Sequence, residues 1–143
     1  MRGIGEVLAP VPPLPAADLV LVNPGEAAPT GAVFAALERR ENAAMEDVPA
    51  LPDAAALAAW LRRQRNDLLA PARAVAPSIG AALAALERAP GVLACGLSGS
   101  GATCWGLTAP GEGAAAAARL ARPSWWVEAG ALLAGPQAIR RAA

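Results

Sequence analysis

The chain has 143 residues, enough for one compact domain around a single core. Hydrophobic residues make up 55% of it, which argues against disorder, and 12 basic residues, all arginine, balance 12 Asp and Glu, so no basic face for nucleic acid is expected. His, Lys and Tyr are absent, which excludes the commonest general base, a phosphate-binding or Schiff-base lysine and a tyrosine acid, leaving carboxylates, hydroxyls, thiols and backbone amides for any chemistry.

In chain order, Gly3-Ile-Gly-Glu-Val-Leu8 suggests a short strand, and Pro10, Pro12, Pro13 and Pro15 impose an extended linker. Leu19-Val-Leu-Val22 reads as a buried strand that stops at Asn23-Pro24-Gly25. Thr30 is expected to cap a helix carrying Val33, Phe34 and Leu37 on one face. Asp53 is expected to cap a second helix whose apolar side holds Leu57, Trp60 and Leu61, with Trp60 suited to a helix–helix contact. Further helices begin near Asn66-Asp-Leu-Leu69 and Ser78, the latter with Ile79, Leu83 and Leu86 on one face. After Pro90-Gly91 two strands, Val92–Leu97 and Thr103–Thr108, flank a glycine-serine loop. A helix over Gly113–Ala121 and a last strand from Trp125 toward Leu133 follow, with Trp125 and Trp126 on opposite faces. This order predicts an α+β two-layer sandwich with a mostly antiparallel sheet of about four strands packed against helices.

The loop Gly96-Leu-Ser-Gly-Ser-Gly-Ala-Thr103 fits no standard phosphate motif. A Walker A loop needs a lysine, and in the dinucleotide fingerprint the third glycine would fall at Cys104. Locally it is a hairpin turn, and backbone amides facing an anion remain an open alternative. A hairpin symmetric about Gly99-Ser100 would place Cys95 opposite Cys104, both as packing residues rather than ligands. The charge-free run Ala89–Gly111 is too broken by Gly, Ser, Thr and Pro to span a membrane, and no signal peptide is visible, so a cytoplasmic setting is expected.

Leu97-Ser-Gly-Ser-Gly-Ala-Thr-Cys-Trp105 resembles the third motif of the GHMP kinase superfamily of small-molecule kinases. Gly3–Leu8, Leu21-Val-Asn-Pro-Gly25 with Thr30, and Asn66-Asp-Leu68 stand in the order of one branch of it. That branch uses ATP to phosphorylate the 2-hydroxyl of a cytidine-diphosphate-linked methylerythritol, in the non-mevalonate route to isoprenoids. The resemblance implies a ferredoxin-like C-terminal domain over residues 16–134, an interdomain strand and linker over 1–15, and a flexible tail over 135–143. It implies that Met1 stands where an internal methionine of a longer kinase would.

By the same resemblance Gly96, Leu97, Ser98, Gly99, Ser100, Gly101, Ala102 and Thr103 form a phosphate-facing loop. Thr30 and Phe34 match substrate-binding positions, Phe34 as an aromatic stacking on cytosine; the other reading of Phe34 is core packing. The family's phosphate loop, its Lys and its catalytic Asp have no counterpart here, so no catalytic residue and no metal ligand is expected in this chain. ATP and Mg2+ would belong to the complete enzyme, and the partner would be an N-terminal kinase domain, in the same chain or a separate subunit. The substrate would be a small cytidine diphosphate, with no nucleic acid and no membrane involved, and the orphaned interdomain face would be open to self-association. Leu69 stands where the family often has Glu. A stand-alone ferredoxin-like ligand- or protein-binding module, or another GHMP small-molecule kinase, are the alternatives.

Overall fold

Alternation along Asp18–Asn23 turns Val20 and Val22, both fully buried, to one side of a strand, β1. The computed structural model describes residues 12–133, so the expected strand at 3–8 and the tail at 135–143 lie outside the described residues. Short helices follow over Thr30–Ala35 (α1), Ala54–Leu61 (α2) and Leu69–Val75 (α3), then a longer one over Ser78–Arg88 (α4). The hairpin strands are Val92–Leu97 (β2) and Cys104–Thr108 (β3), and Gly113–Leu120 (α5) leads to Trp126–Ala131 (β4).

The sheet order is β2-β3-β1-β4, with every neighbouring pair antiparallel. Two split crossovers produce it: β1 reaches β2 through α1–α4, β3 reaches β4 through α5, and each pair leaves one strand between. This is the β-α-β-β-α-β arrangement of ferredoxin-like domains, as the resemblance implies, and its antiparallel sheet is the one the element order predicts.

On one face Val20, Val22, Leu97 and Cys104 meet Ala72 of α3, Ile79, Leu83 and Leu86 of α4, and Ala116 and Leu120 of α5. The i, i+4, i+7 spacing of the three α4 residues buries them together. On the other face Ala94 and Leu107 meet Leu57, Ala58 and Trp60 of α2. Asp53 starts α2 as expected, its Oδ1 accepting the Ala56 N–H at 2.8 Å. The expected helix–helix contact of Trp60 is corrected: α2 lies on β2 and β3, because its apolar side finds the sheet face that α4 and α5 leave open.

Three local expectations also change. Pro29 occupies the cap position of α1, so Thr30 is its first helical residue and makes no cap hydrogen bond. Val33 is buried and Leu37 half-buried, while Phe34 is 49% exposed and outside the core. The hairpin pairs Leu97 with Cys104 and Cys95 with Gly106, because Ser98–Thr103 forms a longer loop centred beyond Gly99-Ser100. Trp125 packs against the α4/α5 side while Trp126 is 51% exposed, in keeping with opposite faces.

Candidate functional site

The loop between β2 and β3 closes on itself through two backbone hydrogen bonds. Ser98 N–H donates to Thr103 O and Gly101 N–H to Ser98 O, both at 2.9 Å. Gly101 has φ +91°, and a Cβ there would meet Ile79 Cδ1 at 3.0 Å and Leu97 Cδ1 at 3.1 Å, so both conformation and space require glycine.

Three side chains from three other segments hold the loop. At the end of β1, Asn23 Nδ2 donates to Thr103 Oγ1 at 3.0 Å, while its Oδ1 accepts the Gly25 N–H at 2.9 Å. At the start of α1, Thr30 Oγ1 lies 3.0 Å from Ser100 Oγ. Ahead of α3, Asn66 Nδ2 donates to Leu97 O at 3.1 Å and Gly99 O at 2.8 Å, and Asn66 Oδ1 accepts the Leu68 N–H at 3.0 Å. The topology makes this convergence possible: Val22 and Leu97 both stand opposite Cys104, so the ends of β1 and β2 and the start of β3 share one edge of the sheet.

Thr30 and the loop are thus brought together. Phe34, four residues after Thr30 and on the same side of α1, is exposed and outside the core. The long-range contacts of Asn23 and Asn66 were not foreseen. An Asn just before a helix signals a local turn, and that half of its bonding was legible; the other half joins residues 31 and 33 positions apart.

The two thiols are free. Burial, and then the charge of Glu87, pushes Cys95 up to about 11; burial, and then Cys95 itself, does the same for Cys104, also to about 11. Neither is a poised nucleophile. Among the described residues no group of three His, Cys, Asp or Glu is placed to hold a metal ion. A hollow of about 330 Å³ lined by Leu37, Asn42, Asp67 and Pro71 sits at the far end of α1 and does not include the glycine loop. No helix among the described residues is long and apolar enough to cross a membrane.

A split ferredoxin-like sheet with a glycine-serine loop braced from β1, α1 and α3 places the chain in a known class. Residues 33–126 match the family described as GHMP kinases C terminal, and the chain belongs to that family. It is 52% identical over 132 residues to the 4-diphosphocytidyl-2-C-methyl-D-erythritol kinase of Cereibacter sphaeroides, covering 89% of this chain and 48% of that protein. It is 53% identical over 136 residues to the protein of the same name from Paracoccus denitrificans, covering 92% and 50%. A crystal structure of 4-(cytidine 5'-diphospho)-2C-methyl-D-erythritol kinase, 31% identical, matches with a TM-score of 0.67 over 94% of this chain and 49% of that one. The chain spans about half the length of the curated relatives it matches.

Proposed function

We propose that the chain is the substrate-binding C-terminal half of an ATP-dependent kinase that phosphorylates the 2-hydroxyl of 4-diphosphocytidyl-2-C-methyl-D-erythritol, in non-mevalonate isoprenoid biosynthesis. One observation carries the reading: the segments that resemble the family, around Asn23, Thr30 and Asn66, are the ones that converge on the glycine loop. Homology to kinases of that name supports the substrate.

In this reading Gly96–Thr103 faces the phosphates of the bound molecules. Its amides that are not spent within the loop, and the Ser98 and Ser100 hydroxyls, donate to phosphate oxygens, and glycines let the ligand approach the backbone. Thr30 and Phe34 contact the nucleoside end, the exposed ring of Phe34 stacking on cytosine. Phosphoryl transfer further needs a phosphate cradle, Mg2+ ligands and an oriented hydroxyl. This chain's residues do not fit ATP with Mg2+: it has no lysine, and no acidic cluster among the described residues suits a metal ion. We assign those groups to the complementary N-terminal half, and to this chain the positioning of the acceptor.

Titrating the labelled chain with CDP, followed by amide NMR, tests the site. Thr30, Phe34 and residues 98–103 are expected to shift together; shifts confined to other surfaces would refute the assignment. A coupled ADP assay tests the division of labour. The chain alone is expected to turn over no ATP, and mixing it with the N-terminal half of the Paracoccus denitrificans relative is expected to restore turnover. Turnover by the chain alone would overturn that division.

A further inference from the structure

Asn66 spends its side-chain amide in two directions. Its oxygen serves the start of α3 through the Leu68 N–H, which is all a local turn requires. Both of its protons go elsewhere, to the carbonyls of Leu97 and Gly99. The Gly99–Ser100 peptide is trans, and in a trans peptide the N–H points opposite to the C=O. With Gly99 O drawn to Asn66, the Ser100 N–H is therefore turned away from Asn66. That N–H has no acceptor among the described residues, while the Ser100 hydroxyl is fixed against Thr30.

We infer that Asn66 is a positioning residue: it sets the orientation of the Gly99–Ser100 peptide so that the Ser100 N–H stays presented to a phosphate of the bound substrate. A donor already aimed in the free protein need not be reoriented when the ligand arrives. The orientation follows from the geometry of this chain; only the identity of the ligand rests on the function proposed above.

The variant N66D separates the two ends of the amide. A carboxylate still accepts the Leu68 N–H, but it offers no proton to either carbonyl and repels both. Amide NMR at neutral pH is expected to show the Ser100 and Gly101 signals displaced and broadened in N66D, with those of α4 and the sheet unchanged. Affinity for inorganic pyrophosphate is expected to fall at least about fivefold, the worth of one hydrogen bond. As the pH falls through the carboxylate range the introduced group regains a donor, and the Ser100 signal should move back toward its parent position, which a loss of packing would not produce. Unchanged Ser100 and Gly101 signals in N66D would overturn the inference. Should N66D not fold, the parent protein decides: scalar couplings from Asn66 Nδ2 to the Leu97 and Gly99 carbonyl carbons are expected, and their absence overturns it. If the parent binds no pyrophosphate while N66D still moves the Ser100 signal, the positioning role stands and the phosphate-facing assignment falls.

Discussion

Thr30 and Ser100, 70 residues apart in the chain, meet hydroxyl to hydroxyl at 3.0 Å. The contact joins the first turn of α1 to the glycine loop. With six residues, α1 is too short to persist by its own propensity, so its place depends on tertiary contacts such as buried Val33 and this hydroxyl pair. The nucleoside end and the phosphate end of the proposed site are thereby mechanically linked.

That link predicts non-additivity. T30V keeps the side-chain volume and S100A removes the other hydroxyl, and each is expected to cost about 0.5–1 kcal/mol, since the contact is exposed to water. The double variant is expected to cost little more than either single one, because the first change already removes the shared bond. Urea unfolding of the four proteins gives the cycle directly. Strictly additive costs would show that the two hydroxyls do not depend on each other.

Two glycines of the hairpin predict different penalties for the same methyl group. A Cβ on Gly96 would lie 2.7 Å from Cζ2 of Trp105, its own cross-strand partner. G96A must therefore displace an indole within the sheet, at an expected cost of about 2–3 kcal/mol. Gly99 has φ +56° with open space around its Cβ position, so G99A pays only for a left-handed backbone, about 1 kcal/mol. Denaturation midpoints should rank parent, G99A, G96A from most to least stable. The reverse order for the two variants would mean that Trp105 does not rest on Gly96.

Most of the architecture was legible because its signals are local. Leu19–Val22 and Val92–Leu97 are apolar and β-rich runs bounded by Pro-Gly or Asn-Pro-Gly turns, and Asp53 is a capping residue with an amide to cap three positions on. The errors arose where a residue's partner is remote. Thr30 has the chemistry of a cap, but Pro29 takes that place and the hydroxyl turns to Ser100 instead. The hairpin register depends on how many residues the loop consumes, and glycine-rich loops of different lengths look alike in sequence. Trp60 was recognisable as core, yet nothing local distinguishes a helix from a sheet as its partner. The resemblance marked Asn66-Asp-Leu68 as part of the family pattern, but only the folded chain brings Asn66 to the glycine loop.

Trp60 predicts an unusually mild substitution. It is 5% exposed, and its Nε1 is buried without a hydrogen-bond partner among the described residues. Leaving such a donor unpaired costs about 1–3 kcal/mol, comparable to what the extra ring area of Trp over Phe contributes. W60F is therefore expected to change stability by less than about 1 kcal/mol, whereas W60A should lose about 3–5 kcal/mol. Thermal or urea unfolding measures both. A large loss in W60F would indicate that the indole N–H is satisfied, for instance by an ordered water.

The thiols predict an alkaline limit on stability. In the folded chain both cysteines are raised from an ordinary 9.0 to about 11, with burial as the leading cause. An acid whose folded pKa lies above its unfolded value favours the folded state in its protonated form. This contribution is complete below pH 9.0, shrinks as the unfolded chain begins to ionise, and is lost by about 11. Unfolding midpoints should therefore decline across that window in the parent protein, and decline less in C95A/C104A. At neutral pH the same shifts leave almost no thiolate, so alkylation by iodoacetamide should proceed far more slowly in the native chain than in urea. Rapid native labelling of Cys95, the more accessible of the two, would mean that the space between β2 and α4 opens to solvent more freely than its packing implies.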